Sequence, residues 1–343
     1  MKSLGKFPDR FVAEIAEQPQ ALRRAGRGLV EQSEQLARLR EAVASSRSIL
    51  FTGMGSSYDA CYPIVTTLAG RGRPCSMLDT AELLHFRMPL LQPDSLLVCV
   101  SQSGESAELV RLIERLPAGA RPTLAAVTNG SANTLAAGAD IALDTCAGEE
   151  LGPSTMTFVG AMAVLDALTG DPPLERAALE MERLLSEPDA AADQLSAWID
   201  GRPTLALVGR GSARAAAEMG ALTLKEAARF PAESLQAAQF RHGPLELAGP
   251  EMAAIVFSTS AATRALDVGM AAELQAAGAR VLVIGDDHEL LPGAVGFVLG
   301  RLSDCLSPAV AVIPTQLLAW SLARARGLDP GGYTRATKVT ERE

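Results

Sequence analysis

The feature that most constrains the fold is a strand-and-turn pattern that occurs twice in the chain. The mostly apolar run Ser48–Thr52 leads into the turn Gly53–Ser56, and the run Thr204–Val208 leads into the turn Gly209–Ser212. The two turns lie 156 residues apart (209 − 53). A second pair of turns, rich in hydroxyl groups, follows at nearly the same offset. Self-similarity at a fixed offset predicts that one structural unit is duplicated.

Within each copy, short apolar runs alternate with segments of helical pattern. In the first copy Ser95–Val100 ends in a hydroxyl-rich turn, and a helix is predicted over Ala107–Leu116 before the next strand, Leu124–Thr128. In the second copy the strands are Ala253–Phe257, which ends in Ser258–Ser260, and Arg280–Ile284. Strand, turn and helix in succession are typical of a parallel α/β sheet, with ligands at the carboxyl ends of the strands.

Turn residues and helical periodicity divide the chain into four parts. We expect an N-terminal helical arm over residues 1–45, broken near Gly26–Gly28, and a first domain over 46–185. A second domain is expected over 200–328, beginning after the turn Gly201–Pro203 and closing with a core helix that is kinked or begun at Pro314. Residues 329–343 form a polar tail.

Composition and charge exclude several classes of protein. With 48% hydrophobic and 21% charged residues the chain is globular. A net charge of -9 argues against binding to nucleic acid or to an anionic membrane. No apolar run approaches the ~18 residues of a membrane span, and Met1–Glu14 lacks a signal-peptide core. Five scattered cysteines suit a reducing cytoplasm, and three histidines leave little room for a metal site.

The turns of the first copy predict an anion site. Gly53–Tyr58 and Ser101–Ser106 combine glycine with hydroxyl side chains directly after a buried strand and before a helix. Backbone N–H groups at a helix N-terminus bind anions, and glycine allows a close approach. One such turn is commonly only a helix cap, but two after adjacent strands favour a phosphate monoester. Neither turn completes the GxGxxG or GxxxxGK[ST] pattern.

A candidate acid/base pair lies in the second copy. Thr223–Arg229 has helical composition, ends before Pro231 and carries Glu226. His242 follows on the loop Arg241–Pro244. A carboxylate on a helix and an imidazole on a loop can move protons together if the fold brings them close. The alternative is a surface glutamate and an unrelated loop histidine.

Together these motifs resemble the tandem sugar-isomerase (SIS) domain proteins. In particular, the chain looks like the isomerase half of glutamine–fructose-6-phosphate amidotransferase and its stand-alone relatives, the glucosamine-6-phosphate deaminases and fructosamine-phosphate deglycases. The resemblance implies two tandem flavodoxin-like three-layer αβα domains with parallel sheets, plus the helical arm and a C-terminal catalytic tail. The matching motifs are Gly53–Tyr58, Ser101–Ser106, Ala147–Gly152, Leu224–Glu226, Glu233, Arg241–Pro244 and Lys338–Thr340.

The resemblance also implies a role for individual residues. Glu226 would move a proton between C1 and C2, His242 would open the sugar ring, and Lys338 could form a Schiff base with the open-chain carbonyl. In the family the residue matching His242 comes from the neighbouring subunit, which implies a homodimer with the active site at the subunit interface. No cofactor is implied. The residues implied to bind the sugar phosphate are Ser56, Ser57, Ser101, Gln102, Ser103, Ser106 and Thr155.

The chain departs from the family pattern at cationic positions. Thr223 and Met156 stand where lysines are expected, and Tyr333–Thr334 stands where a Pro-Arg pair is usual. We interpret these losses as a change of substrate with the activity retained. We also expect no ammonia to be made from glutamine, because there is no glutaminase segment and Met1 is not followed by a cysteine nucleophile.

Two functions remain open at this stage. The first is an enzyme acting on an amino-sugar or fructosamine phosphate; the second is a sensor that binds a sugar phosphate without turnover. Glu226, His242 and Lys338 together favour the enzyme, as does the lack of a DNA-binding segment before residue 48. For the remaining polar residues simpler roles are expected or equally open. His85 and His288 are expected to be structural or surface residues, Asp286 and Asp287 a solvated turn, Arg210 a partner of a carboxylate, and Glu150 and Glu233 either substrate contacts or buried hydrogen-bonding posts.

Overall fold

The computed structural model describes residues 9–117, 119–285, 294–335, 337–340 and 342. The chain divides into two compact units. The first unit holds Gln20–Glu150, Ser154–Glu175 and Thr334–Glu343, and the second holds Met1–Pro19, Leu151–Pro153 and Arg176–Tyr333. The domain limits expected from the sequence stay a prediction. Asp286, Asp287 and His288 lie outside the described residues.

The first unit is built on a parallel five-stranded sheet of order β2-β1-β3-β4-β5. Its middle strand is buried along its whole length, which explains why its sequence is a continuous apolar run rather than an alternating one. The strands are β1 (Ser48–Gly53), β2 (Cys75–Asp79), β3 (Ser95–Ser101), β4 (Thr123–Thr128) and β5 (Ile141–Asp144).

The second unit repeats this topology in a parallel sheet of order β10-β9-β8-β6-β7. Its strands are β6 (Thr204–Gly209), β7 (Ala232–Gln236), β8 (Met252–Ser258), β9 (Arg280–Gly285) and β10 (Val295–Val298). Strands β8 and β9 each begin 157 residues after β3 and β4 (252 − 95 and 280 − 123). The equal offsets and equal strand orders confirm the predicted α/β fold with two parallel sheets.

Helices connect the strands and cover the sheets. In chain order they are α1 (Arg10–Glu31), α2 (Ser33–Ser45), α3 (Ser56–Asp59), α4 (Cys61–Gly70), α5 (Thr80–Glu82), α6 (Ala107–Arg115), α7 (Thr134–Gly138), α8 (Met156–Ala167), α9 (Leu174–Leu184), α10 (Pro188–Ile199), α11 (Arg214–Ala228), α12 (Ala237–Phe240), α13 (Arg264–Ala276), α14 (Ser307–Ala311) and α15 (Ile313–Ala325). Helix α8 is buried on all sides, as its largely apolar sequence requires. Among the described residues, no helix combines the length and apolar character that crossing a membrane needs.

Three details differ from the sequence-based expectation. Helix α1 continues through Gly26–Gly28, because Gly28 serves close packing: a Cβ there would lie 2.5 Å from the sulfur of Cys146. The strands β2, β7 and β10 were not predicted: all three are edge strands that are only partly buried, β2 and β7 are of mixed polarity, and β10 has only four residues, one of them glycine. Helix α11 begins nine residues earlier than the predicted Thr223 (223 − 214) and ends before Arg229, whose φ is 49°.

Candidate functional site

A small cavity opens at the carboxyl ends of β1, β3 and β4 in the first unit. In a sheet of this strand order the connections leave in opposite directions after β1 and β3, so a crevice forms between these strands. The cavity has a volume of about 10 Å³, which is the room of about one water molecule. Four of the predicted site residues line it: Ser56, Ser57, Ser101 and Gln102.

Serine hydroxyl groups stabilise the loop between β3 and α6 by hydrogen bonds to its own backbone. The buried Ser101 hydroxyl accepts a hydrogen bond from the backbone N–H of Gly104 at 3.1 Å, and the Ser103 hydroxyl accepts one from the N–H of Glu105 at 3.1 Å. Gly104 has a φ of 66°, which favours glycine. Ser106 precedes α6, and its hydroxyl makes no capping bond to the helix. The loop is therefore preformed, with the Ser106 hydroxyl left unused by the helix it precedes.

The turn after β1 brings a second pair of hydroxyl groups to the same region. Gly55 has a φ of 52° and reverses the chain so that α3 begins at Ser56. The Ser56 hydroxyl donates to the hydroxyl of Ser154 at 2.9 Å, and Ser57 lines the cavity directly. A side chain at Gly53 would lie 2.9 Å from the carbonyl oxygen of Val100, so only glycine fits between β1 and β3.

Glu150 is a buried hydrogen-bonding centre just before α8. One carboxylate oxygen accepts from the backbone N–H groups of Thr155 and Thr157 at 2.7 and 3.1 Å, and from the Thr155 hydroxyl at 3.1 Å. The other oxygen accepts from the Thr157 hydroxyl at 2.5 Å. Of the two roles left open for Glu150, the structure shows the buried hydrogen-bonding post. Thr155, predicted to line the sugar, is fully buried with its hydroxyl on Glu150 and does not line the cavity.

The C-terminal tail contacts the first unit at two points. The Lys338 ammonium group donates to the second oxygen of Glu150 at 2.8 Å, and the exposed fractions of the two side chains are 18% and 0%. Two residues further on, the carbonyl oxygen of Thr340 accepts from the backbone N–H of Ala107 at 3.0 Å. Because Ala107 is the first residue of α6, the tail meets the same helix that follows the serine-rich loop.

Glu226 lies in the last turns of α11 in the second unit, on a half-buried position. Thr223, one helical turn earlier, is fully buried and its hydroxyl donates to the carbonyl of Met219 at 2.8 Å. A lysine at that position would have to place its charge in the core, so the threonine fits its surroundings as a packed residue. Glu226 belongs to a different unit from Lys338, and their joint action stays a prediction.

His242 is exposed on the turn that follows α12. Its backbone N–H donates to the carbonyl of Gln239 at 2.9 Å, and Gly243 beside it has a φ of 120°, which holds the turn open. The neighbouring Arg241 is paired with Glu273 at 2.5 Å. His242 therefore lies at the surface, on a turn that a backbone hydrogen bond and the Arg241–Glu273 ion pair stabilise.

Sequence reasoning missed one polar wall of the cavity. Thr128, Asn129, Thr145 and Thr157 line it together with the predicted serines. The Asn129 side chain accepts from the Thr145 hydroxyl and the Ala147 N–H at 3.1 and 3.0 Å, so it joins the end of β4 to the loop after β5. The turn that begins at Asn129 after a buried strand was the available signal. Ser103, Ser106 and Thr155 were predicted, but they do not line this cavity.

The remaining candidates differ in their surroundings. Glu233 is exposed on β7, so the alternative of a buried hydrogen-bonding post is wrong for it. His85 is exposed, with its ring 6.1 Å from that of Phe86. Arg210 pairs with the carboxylate of Asp267 at 2.8 Å. Within the part of the chain that the structure describes, no group of three or more His, Cys, Asp or Glu residues could hold a metal ion.

Two thiols near the cavity are inert at neutral pH. Cys61 in α4 and Cys99 in β3 are both fully buried. Burial raises the pKa of the Cys61 thiol far above its usual range and that of Cys99 to about 12. Since the thiolate is the reactive form, neither cysteine can serve as the nucleophile of this site.

The chain is similar to known proteins along almost its whole length. A glutamine–fructose-6-phosphate aminotransferase (isomerizing) from Pyrobaculum aerophilum is 30% identical over 350 residues, covering 96% of this chain and 57% of the relative. The chain thus spans a little over half the length of that relative. The C-terminal domain of glucosamine-fructose-6-phosphate aminotransferase from Francisella tularensis has a TM-score of 0.79 at 23% identity, covering 95% of this chain and 98% of that one.

A second solved structure shares the fold with a similar TM-score. The tagatose-6-phosphate ketose/aldose isomerase from Escherichia coli has a TM-score of 0.82 at 22% identity, covering 96% of this chain and 97% of that one. The family model described as "SIS domain" matches residues 42–169 and 199–289, one match for each copy of the duplicated unit. The two parallel sheets and the two matched segments establish that the chain belongs to the SIS domain family.

Proposed function

We propose that this chain is a phosphosugar aldose–ketose isomerase that acts on an amino-sugar phosphate or a fructosamine phosphate, with or without release of the amine. The observation that carries the proposal is a continuous chain of contacts in the first unit. Lys338 binds Glu150, Glu150 binds the Thr157 hydroxyl, and Thr157 lines the cavity of serine residues. The Lys338 ammonium group and the proposed anion site are thereby linked through one buried carboxylate.

The phosphate would be held by the serine-rich turns. Ser56, Ser101, Gln102, Ser103 and Ser106 offer hydroxyl, amide and backbone donors around the N-terminus of α6, whose dipole favours a negative charge. The cavity itself has room for about one water molecule. The phosphate group would therefore lie at the entrance of the cavity, next to its polar lining residues. Ser57 and Thr155 have the proposed role of contacting or supporting the sugar.

The chemistry needs a proton donor, a carbonyl activator and a base. His242 would pass a proton to the ring oxygen while the anomeric hydroxyl loses one, which opens the ring to the free carbonyl. Lys338, as an ammonium group, would polarise the C1 carbonyl of the open-chain sugar. For an aldose substrate, Glu226 would take the proton from C2 and return it to C1, so that the C1 carbonyl becomes a hydroxyl group and the double bond moves to C2.

The fate of nitrogen depends on the substrate. If the substrate carries an amine at C2, this double bond is C=N. Lys338 would release Glu150, lose its proton and attack C2; ammonia leaves, a lysine imine forms, and water hydrolyses it to the ketone and restores the lysine. If C2 carries a hydroxyl group, its proton passes to the C1 oxygen as C2 becomes the ketone, and no ammonia appears. Sequence similarity to an aminotransferase supports an amino-sugar phosphate.

Turnover measurements test the proposal. Glucosamine 6-phosphate should give a ketose phosphate together with ammonia. A fructosamine 6-phosphate, in which the proton moves from C1 to C2, should give an aldose phosphate together with the free amine, and both pairs of products are followed. Glu226→Gln should abolish turnover, while Glu251→Gln, which makes the same change at an exposed position, should not. Saturable binding without turnover of either compound would instead support a sensor, and turnover that survives Glu226→Gln would refute the assigned base.

The proposed homodimer has a separate test. If each site takes Glu226 from one subunit and His242 from the other, the two single variants are each inactive. Mixing the two variants produces hybrid dimers with one intact site, and about a quarter of the wild-type activity should return. A mixture that stays inactive although the hybrids form would show that both residues act within one subunit.

A further inference from the structure

The second unit repeats several glycine and serine positions in the turns of the proposed phosphate site. Gly55 and Gly211 follow β1 and β6 at an offset of 156 (211 − 55), and their φ angles are 52° and 51°. Ser101 and Ser258 end β3 and β8 at an offset of 157 (258 − 101), and both are buried. The second unit therefore contains a cradle that shares these glycine and serine positions with the first, although Ala261 replaces Gly104, whose φ is 66°.

The two cradles also share a hydroxyl residue at the helix that follows. Ser106 is the residue before α6, and Thr263 is the residue before α13, again 157 residues apart (263 − 106). In the first unit the Ser106 hydroxyl makes no bond to its helix. In the second unit the Thr263 hydroxyl donates to a carboxylate oxygen of Asp267 at 2.8 Å.

The cradles differ in two side chains that meet in space. Arg210 stands at the position of Met54 (offset 156), and Asp267 stands at the position of Val110 (offset 157). The Arg210 guanidinium donates to the other oxygen of Asp267 at 2.8 Å, with exposed fractions of 11% and 1% for the two side chains. A cation and a hydroxyl of the cradle thus hold one buried carboxylate between them.

We propose that the second unit is a closed anion site whose permanent ligand is the Asp267 carboxylate. A carboxylate and a phosphate accept hydrogen bonds from the same donors, and guanidinium groups bind both. Asp267 lies in the first turn of α13, where the helix dipole also favours a negative charge. The native chain consequently binds one phosphosugar, and removal of the carboxylate opens a second site for a phosphate group.

The proposal takes its ligand class from the proposed function, and its test separates the two. The probe is inorganic phosphate, counted per chain by equilibrium dialysis and calorimetry. Asp267→Val, which introduces the residue of the first copy, should bind one phosphate more than the wild type. In Arg210→Met/Asp267→Val the cation is gone, and the second copy has Thr259 and Ala261 where the first has Gln102 and Gly104, so the added phosphate should be lost.

Asp267→Asn is the second variant, because it preserves the shape of the side chain if the valine variant does not fold. It should be stabilised by phosphate to a greater extent than the wild type, since a ligand that binds only the folded state raises stability by mass action. The proposal is overturned if both folded Asp267 variants bind the same amount of phosphate as the wild type, or if the added phosphate persists without Arg210. A wild type that binds no phosphate, with a gain in the Asp267 variants, would refute only the first-unit site.

Discussion

Replacement of Glu150 by glutamine should release the C-terminal tail without unfolding the first unit. Glutamine has nearly the same shape, so its oxygen can remain where three donors from Thr155 and Thr157 converge. The amide nitrogen then faces the Thr157 hydroxyl and the Lys338 ammonium. The hydroxyl can turn to accept a hydrogen bond, but the ammonium cannot. Lys338 therefore loses both its counter-charge and its acceptor in Glu150.

The size of the effect follows from the burial of the pair. Breaking a fully buried ion pair by removing one partner costs about 3–5 kcal/mol, and a hydrogen bond to a charged group contributes about 1.5–3 kcal/mol. Lys338 keeps 18% of its side chain exposed, so it can turn to water and avoid the full cost. We expect docking of the tail to weaken by about 2–3 kcal/mol, which is about 30- to 150-fold in the docking equilibrium.

Hydrogen exchange at a single amide reports this equilibrium. The Ala107 N–H donates to the carbonyl of Thr340, so it loses its partner whenever the tail leaves. Its protection should fall by the same factor in Glu150→Gln, and kcat should fall with it. Glu149→Gln makes the same change at the neighbouring exposed position and should leave both unchanged. Unaltered protection of Ala107 in a folded Glu150→Gln protein would refute the reasoning.

Further predictions concern the loop, the thiols and the closed cradle. Gly104→Ala should raise KM and lower Tm more than Gly130→Ala: both have positive φ and cost about 1–3 kcal/mol of strain, but only at Gly104 would a Cβ lie 2.0 Å from a side-chain oxygen. Cys61 and Cys99 should resist a thiol reagent at pH 8 until the protein unfolds, because burial raises both pKa values; rapid labelling of the folded protein would contradict this. Burial raises the pKa of Asp267 above 3.8, although its hydrogen bonds lower it. The folded state therefore binds this proton more tightly than the unfolded state. As a result, the contribution of Asp267 to the free energy of unfolding falls as the pH rises from about 3.8 through the raised pKa. Urea unfolding at several pH values should show this fall in the wild type and not in the Arg210→Met/Asp267→Val variant; equal pH profiles would refute it.

The interior strands could be predicted because a strand that is buried on both faces has an apolar sequence. Strands such as β3 and β8 are covered on both faces and must be apolar throughout. Edge strands such as β7 carry no such requirement, and the polar composition of Ala232–Gln236 gave no strand signal. Gly28 could not be interpreted from the sequence for a related reason. Glycine is expected both at a helix break and where a helix packs closely on a neighbour, and here it packs against Cys146.

The serine-rich turns could also be predicted, because hydroxyl groups and glycines after buried strands are local features. The contacts that organise the site could not. Glu150 and Lys338 are 188 residues apart in sequence, and no local pattern marks a buried glutamate that accepts from two threonines and a lysine. Its neighbour Glu149 has the same side chain and is exposed, so only the fold distinguishes them.

The duplication explains why one unit can hold an anion site while its copy does not need one. A cradle of backbone N–H groups and hydroxyls at a parallel sheet is electropositive wherever it forms, and an unfilled buried cation is costly. The first unit has the apolar residues Met54 and Val110 at two positions of its cradle. A ligand would therefore have to supply the negative charge that its cradle favours. The second unit supplies both charges itself through Arg210 and Asp267. Arg210 and Asp267 are thus sufficient to close the second cradle, whereas the proposed ligand site of the first also depends on Gln102 and Gly104, which the second copy replaces with Thr259 and Ala261.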